Sequence, residues 1–445
     1  MQTSVRKKSW MNQFIDTIEY WGNKLPHPFI LFGMLVIITL IGSWILSQAG
    51  CSITYMAASR TPGEPEKEVT IAVTNLLSGD NLRYLITKYP DIFIGYPPMK
   101  LVLVMMAATA FIEKTGFFGT FMKKYLLRAP RSLVTFAVVF VGVNSNLMSD
   151  AGTLFALTMG GIIFAALGRN PLIGVILGWA SSSGGFTANL FLAGTDALLA
   201  GITEGVVKEM GVAVDINPAM NYFFMASATF FLSVTLTLFT EKVVCRMVGD
   251  GDGKVNMAML EEHKLTADQE KGLRFAFYGF LFFLAVMAAL TVPSWAILRN
   301  ANGGFLPKSP FFAGIITLIA FFFVSTGLPY GVATGEIKKW KDIPRLVSAG
   351  LREAIPLLTT TMMAAVFIDM MNKSNIFKMV AVAGAEALRG ANIGLLPLCL
   401  MIIVVTTIIN PFMTSGSSKW LIIAPMIVPM FTMLNVHPAY AQLVL

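Results

Sequence analysis

The sequence predicts an all-α polytopic membrane protein made of inverted repeats, with two re-entrant hairpins and discontinuous helices. Three observations predict it. Hydrophobic residues make up 55% of the 445 and charged residues 13%, about half the charge of a soluble domain. The run from Pro171 to Thr203 carries a single charge, Asp196. As one continuous helix it would reach ~50 Å, well past the ~30 Å apolar core of a bilayer. Its middle, from Trp179 to Asp196, is filled with Ser, Thr, Asn and Gly where a plain membrane helix carries Leu and Val. Unwound backbone at that depth is tolerated only when buried in protein or lining a watery cavity. The run therefore reads as a broken helix whose gap binds something. Thirdly, a series of span, amphipathic linker and hairpin occurs twice along the chain.

Composition also excludes. The net charge of +8 would suit nucleic acid, but the basic residues gather in a few loops between spans, so they report topology. Cys51, Cys245 and Cys399 have no pair spacing, which argues against a disulfide framework or thiolate metal site. His27, His263 and His437 fall in loops or at span ends. No nucleophile–base pair or metal-ligand cluster is visible, so the chain is not read as an enzyme. Arg6, Lys7 and Lys8 are not followed by a short apolar stretch with a cleavage site, and no cleaved signal peptide is expected.

Residues 1–98 read as an N-terminal segment, a first span from Phe29 to Gly50 and a long external loop. In that loop Leu76, Leu77, Leu82, Leu85 and Ile86 can form one face of a surface helix. Residues 99–217 form the first repeat: a span closing at Glu113, a hairpin at 132–168 and the broken helix at 171–203. Between span and hairpin, Lys114, Lys123, Lys124, Arg128 and Arg131 alternate with Phe117, Phe118, Phe121, Met122 and Tyr125, an interfacial amphipathic helix on the cytoplasmic face. Ser132 to Gly168 holds one charge, Asp150, and is cut by turn-forming residues from Asn144 to Asp150. The resulting arms are too short for comfortable crossings. Residues 218–354 are connecting spans and cytoplasmic loops. Residues 355–445 are a second repeat, with a hairpin whose polar tip runs from Asn410 to Trp420. Basic loops placed inside put the first hairpin's mouth on the cytoplasmic side and the second's outside. Phe111-Ile112-Glu113 is echoed by Phe367-Ile368-Asp369. Inverted repeats with discontinuous helices belong to secondary transporters.

At a hairpin tip or helix break, free carbonyls and Ser, Thr and Asn oxygens can replace a cation's water shell, and helix N-termini favour anionic groups. The cation-binding candidates are Asn144, Asn146, Ser149, Asp150, Ser182 and Thr187. Ser183 and Asn189 are substrate candidates in the break. The competing reading is that small residues only permit close helix packing. Asp150 is a cation or proton site, or a cap on the outgoing hairpin arm. Asp196 is a coupling carboxylate, or it marks a helix end nearer the interface. Lys419 pairs with a carboxylate of substrate or protein, or snorkels to the headgroups. Trp420 stacks on an aromatic substrate, or packs.

The chain resembles the p-aminobenzoyl-glutamate transporter (AbgT) family. The matching stretches are Gly22 to Pro28 (Gly-Asn-Lys-Leu-Pro-His-Pro), Ala129-Pro130-Arg131, Ser145-Asn146 with Ser149 to Gly152, and Ser183 to Leu190. Gly194-Thr195-Asp196 with Leu198 to Thr203, and Lys419-Trp420 with Ala424-Pro425 and Val428 to Phe431, complete them. The resemblance implies an ion-transporter-superfamily-like fold and a homodimer in the cytoplasmic membrane. It also implies Na⁺- or H⁺-coupled movement of p-aminobenzoyl-glutamate or export of sulfonamide-like antimetabolites. It points to Asp196, Ser417 and Trp420 as functional residues, with Ser418 the neighbouring alternative to Ser417. Ala197 stands where the family usually has Pro. The resulting expectation is a cation-coupled secondary transporter of an aromatic carboxylate, needing no cofactor beyond its coupling ion. A dicarboxylate carrier of the same fold class, or an ion channel, is the alternative.

The second repeat, ending at Leu445, holds a hairpin but no second broken helix. In the resembling family an Arg-Ile-Gly-Asp-Ser run inside a second broken helix follows, then a last span. The expectation is that residues 1–445 insert but show no coupled transport until a family-like C-terminal extension is restored. Uptake by liposomes reconstituted with each form checks this, and equal saturable transport by both would refute it.

Overall fold

The computed structural model of the chain describes residues 20, 24, 26–57, 67–210, 214–305, 309–390, 394–410, 416–434 and 436–444. Among these, six helices are long and apolar enough to cross a membrane: Pro28–Gln48, Arg131–Met148, Tyr222–Val248, Ala267–Thr291, Ile315–Thr334 and Ala354–Lys373. Leu395–Ile409 is apolar but shorter, with 15 residues, or ~22 Å of helix. The chain divides into two compact units. One, the central unit, comprises Lys100–Leu198 and Asn217–Ile355; the other, the terminal unit, comprises Met1–Met99, Leu199–Ile216 and Pro356–Leu445.

The heart of the central unit is three helices laid side by side. Val134–Asn144 runs in, a short 3-10 turn at Ser145–Met148 reverses the chain, and Ser149–Ala166 runs out. Pro171–Gly184 then runs in again. Glycines set how closely they lie. A Cβ on Gly174 would sit 2.2 Å from the Gly160 carbonyl oxygen, and one on Gly178 would sit 2.2 Å from that of Ala156. Those pairings make the second and third helices antiparallel. Gly142 lies against Ser181, where a Cβ would come within 1.9 Å of the hydroxyl. So Val134–Asn144 and Pro171–Gly184 run the same way. The reversal at Ser145–Met148 gives residues 132–168 the shape of a helical hairpin. Its first arm has 11 residues, ~16 Å, about half of the bilayer core.

The two ends of the hairpin meet at Arg169. Its guanidinium donates to Thr135 Oγ1 (2.7 Å), Glu241 Oε1 (2.8 Å), Asp250 Oδ1 (2.8 Å) and Cys245 Sγ (3.2 Å), and lies over the Phe164 ring. Burial works against its charge, but the hydrogen bonds and negative charges of Glu241 and Asp250 outweigh that and hold its pKa above the ordinary arginine value. Glu241, Cys245 and Asp250 gather closely enough to ligate a metal; Arg169 supplies the positive charge instead. The sequence reads 246–271 simply as a charged soluble loop. Part of it packs on the hairpin mouth: Gly253 N–H donates to Gly168 O (2.9 Å), Asn256 N–H to Ala166 O (2.8 Å) and Asn170 N–H to Asp250 O (3.0 Å). Gly168 (φ +71°) has no room for a side chain, since a Cβ would lie 2.3 Å from the Lys254 nitrogen.

The terminal unit holds a surprise in the long loop after the first span. Strands Ser52–Ala57 and Lys67–Ala72 pair antiparallel, with Thr54 opposite Thr70 and their hydroxyls 2.7 Å apart. A helix does follow, Gly79–Gly95, and carries Leu82, Leu85 and Ile86 of the expected face; Leu76 and Leu77 precede it, and Leu76 is buried with its N–H on Ser43 Oγ. Tyr84 on this helix donates from its hydroxyl to Asp369 Oδ1 (3.2 Å), and Lys373 lies over its ring.

The repeated order of elements is present in the backbone. Helix Pro97–Lys114 is followed after two residues by Phe117–Arg128, and helix Asp342–Lys373 after two residues by Ile376–Gly390. The second linking residue has a left-handed backbone in both cases, Gly116 (φ +81°) and Asn375 (φ +65°). Asn is one of the few side chains that tolerates that region. Matching the helix ends pairs Lys114 with Lys373. The Phe-Ile-acid echo lies three residues out of that register.

The hairpin makes a topological prediction. With Cys51, Cys245 and Cys399 replaced by Ser, single cysteines at Ser132 and at Asn170 should be labelled by an impermeant maleimide from the same membrane face. Labelling from opposite faces would mean that 132–168 crosses.

Candidate functional site

Helix Pro171–Gly184 stops and helix Gly194–Glu209 begins, leaving residues 185–193 as an open loop. The first helix has 14 residues, so the loop lies ~21 Å along the helix axis from its start, at membrane depth. The hairpin tip holds the loop: Leu190 N–H donates to Asn144 Oδ1 (3.0 Å), while Asn144 Nδ2 donates to Phe140 O (2.8 Å). Tyr222 donates from its hydroxyl to Leu190 O (3.1 Å). Asp196, in the first turn of the second helix, accepts the Ala193 N–H on Oδ2 at 2.6 Å. It is 3% exposed and, among the described residues, has no cationic partner.

The predicted residues of this half fall into four groups. Asn144, Asn146 and Ser182 knit tip to break. Asn146 Nδ2 donates to Val143 O (3.2 Å) and Ser182 O (3.4 Å), and Ser182 Oγ lies 3.0 Å from Ser145 Oγ and 2.8 Å from Thr153 Oγ1. Asn189 stands apart. It is fully buried, and neither its Oδ1 nor its Nδ2 has a partner among the described residues. The Thr195 hydroxyl, one residue before Asp196, is likewise unpartnered. Ser183 is exposed and Thr187 half-buried. Ser149 and Asp150 begin the outgoing arm, but their side chains lie outside the described residues. Sequence reasoning missed Ser145 as a ligand of the cluster, Thr153 and Thr195. Thr153 is a single hydroxyl in a helical run with nothing local to mark it, whereas Thr195 stands in the Gly194-Thr195-Asp196 stretch beside the acid.

The second predicted tip lies in the terminal unit. Residues 411–415, which include Thr414, lie outside the described residues. Helix Gly416–Met433 follows. Ser417 is half-buried and Ser418 buried. Lys419 is buried and donates from Nζ to Asn410 Oδ1 at 2.5 Å. It thus bridges the two arms across the tip; no carboxylate of the described residues takes it, and it does not reach outward. Trp420 is fully buried, and its indole N–H donates to Thr203 Oγ1 (3.0 Å). The same hydroxyl lies 3.0 Å from Leu199 O and 2.8 Å from Gln442 Oε1. In this conformation the ring packs within protein and presents no face for stacking. Thr203 and Gln442 were not singled out as partners from the sequence, because their roles depend on contacts more than 200 residues apart.

A membrane helix opened at mid-depth, with a buried acid and an unpartnered amide beside the opening, suits a solute or ion binding site in a transporter. Comparison with known proteins agrees. The AbgT putative transporter family matches residues 13–445. The chain belongs to the AbgT family. It is 32% identical over 441 residues to the p-aminobenzoyl-glutamate transport protein of Escherichia coli (strain K12), covering 99% of this chain and 84% of that one. Neisseria gonorrhoeae MtrF, described as illuminating a class of antimetabolite efflux pumps, is 30% identical with a TM-score of 0.89 over 97% of this chain and 86% of its own. The Alcanivorax borkumensis YdaH transporter is 27% identical with a TM-score of 0.84, covering 94% and 86%. This AbgT protein is therefore a multi-pass membrane transporter, not an enzyme.

Trp420 makes a stability prediction. Trp420→Phe keeps most of the packing and removes one hydrogen bond, a loss of about 0.5–1.5 kcal/mol. Trp420→Ala also leaves a cavity and should cost about 3–5 kcal/mol. Thermal melting in detergent separates them; an unchanged melting temperature for Trp420→Ala would mean that the buried placement is wrong.

Proposed function

We propose that this AbgT protein is a cation-coupled secondary transporter of an aromatic carboxylate such as p-aminobenzoyl-glutamate or a related antimetabolite. In this reading it works as a homodimer in the cytoplasmic membrane. The observation that carries the proposal is the break at 185–193, where the Asn189 amide is buried without partners and Asp196 is buried without a countercharge. A carboxylate at membrane depth is costly and faces a cavity or a partner that comes and goes. Asp196 is the proposed coupling group for Na⁺ or H⁺, with Asn189, Ser183 and Thr187 offering oxygens or an amide to ion or solute. In the terminal unit Ser417 and Ser418 are the proposed solute contacts, with Trp420 and Lys419 shaping the tip. The substrate class rests on the relatives named above: a p-aminobenzoyl-glutamate transport protein and an antimetabolite efflux pump.

Asp196→Asn tests the coupling role without removing the cap, because the amide oxygen still accepts the Ala193 N–H. Both Asp196→Asn and Asp196→Ala should insert normally. Each should lose the cation-stimulated part of p-aminobenzoyl-glutamate transport in liposomes by about 5- to 150-fold, the usual size of a coupling free energy. Normal cation stimulation in Asp196→Asn would leave Asp196 with the cap alone and end the assignment.

A further inference from the structure

Within the central unit lies a cavity of about 770 Å³ whose lining includes Asn144 of the hairpin tip and Leu190 and Phe191 of the break. Its wall is apolar and rich in aromatic rings, with Phe117, Phe121, Phe136, Phe140 and Phe322 among its residues. It is open on the side where Tyr125, Phe277 and Tyr278 are each more than half exposed. Two cations line it, Lys124 and Arg274. Lys124 belongs to the basic amphipathic helix Phe117–Arg128, and Arg274 to the second turn of Ala267–Thr291, just after the charged loop. Both belong at headgroup level. Neither forms an ion pair or hydrogen bond with any described residue.

The cavity also has a depth. Leu133 and Asn144 both line it and are joined by the first hairpin arm, Val134–Asn144. That arm spans ~16 Å, the depth of one leaflet of a ~30 Å core. A cleft with unpaired cations at the interface and an apolar wall one leaflet deep matches one kind of molecule. We propose that it holds an anionic phospholipid of the cytoplasmic leaflet, its phosphate between Lys124 and Arg274 and one acyl chain along the phenylalanines toward Asn144. An acyl chain in a bilayer is already out of water, so entering the cleft gains it little. Selectivity must therefore come from the headgroup charge, as in other basic pockets between membrane helices. The inference does not depend on Asp196 or on the identity of the transported solute.

Native mass spectrometry of the delipidated protein, titrated with phosphatidylglycerol or phosphatidylcholine, tests this. Wild type should retain phosphatidylglycerol in preference to phosphatidylcholine. Lys124→Ala with Arg274→Ala should weaken phosphatidylglycerol retention about 30-fold and leave phosphatidylcholine unchanged. Ala137→Phe, which narrows the cleft from its wall, should weaken both. Equal retention of the two lipids by wild type, or undiminished phosphatidylglycerol on the double variant, would overturn the proposal. So would displacement of phosphatidylglycerol by p-aminobenzoyl-glutamate, which would make the cleft a substrate site. Loss of the dimer mass in Ala137→Phe with lipid retention unchanged would make it a subunit contact, and would overturn the proposal too.

Discussion

Peptide groups that leave a helix inside a membrane have no water to fall back on, and each one left open costs several kcal/mol. The break at 185–193 is organised by that constraint. Its Leu190 N–H is taken by Asn144 of the hairpin tip, its Leu190 carbonyl by Tyr222, its Ala193 N–H by Asp196, and its Ala188 N–H by Gly185 O. Outside the break the partners come from three separate segments, of which the hairpin tip supplies the one for the Leu190 N–H. The constraint also sorts the candidate ligands. Asn144 was read as a cation ligand; its carbonyl oxygen holds one backbone donor and keeps one lone pair. Asn189, two residues after Thr187 on the same loop, is the amide left over.

The hairpin can reach the break only because the three helices lie unusually close. Gly160 against Gly174 and Gly178 against Ala156 bring backbones into contact along one seam, and Gly142 does the same for Ser181 on the other. In lipid no hydrophobic force drives such helices together, so close packing and interhelical polar contacts must do it. The Ser145–Ser182–Thr153 hydroxyls supply the polar part where the seam ends. Small residues here therefore serve the packing reading that the sequence offered. The glycines within helices are for packing; the polar residues at the open loop are the ones with free capacity.

Much of this was legible in the chain. The break at Gly185 and the reversal after Asn144 follow from nearly charge-free runs of the wrong length for a bilayer, interrupted by turn-forming residues, and the amphipathic helix at 117–128 from basic residues alternating with aromatic ones. Hydropathy could not show what happens outside the apolar runs. The strand pair at 52–57 and 67–72 was hidden because a loop rich in Thr and charge was read only for its leucines, although Ile53, Tyr55, Val69 and Ile71 alternate as a strand requires. The packing of 249–256 on the hairpin mouth depends on backbone hydrogen bonds and on Gly168 having no side chain, neither of which leaves a pattern in sequence. The Phe-Ile-acid echo misled slightly: an apolar pair before an acid recurs by chance in membrane helices, whereas the left-handed link at Gly116 and Asn375 is set by geometry. The burial of Trp420 was the least readable, because a tryptophan beside a polar tip looks the same in sequence whether it faces a ligand or Thr203.

The position of Asp196 ties charge to shape. Its carboxylate caps the first turn of Gly194–Glu209 by accepting the Ala193 N–H. A proton or Na⁺ on the same carboxylate competes with that cap. If Asp196 is the coupling group, loading it weakens the hold on Ala193, and any solute that rearranges the break must change the affinity for the ion. Linkage requires the reverse effect to be equal. The effect has a short path, since Asn189 lies between the Leu190 staple to Asn144 and the Ala193 staple to Asp196. A ligand satisfying the Asn189 amide would act between two backbone bonds, one fixed by the hairpin tip and one by the titratable acid. With Asp196 as the proposed coupling group, the arrangement that meets the demands of open backbone in lipid is also the one through which an ion and a solute would be linked.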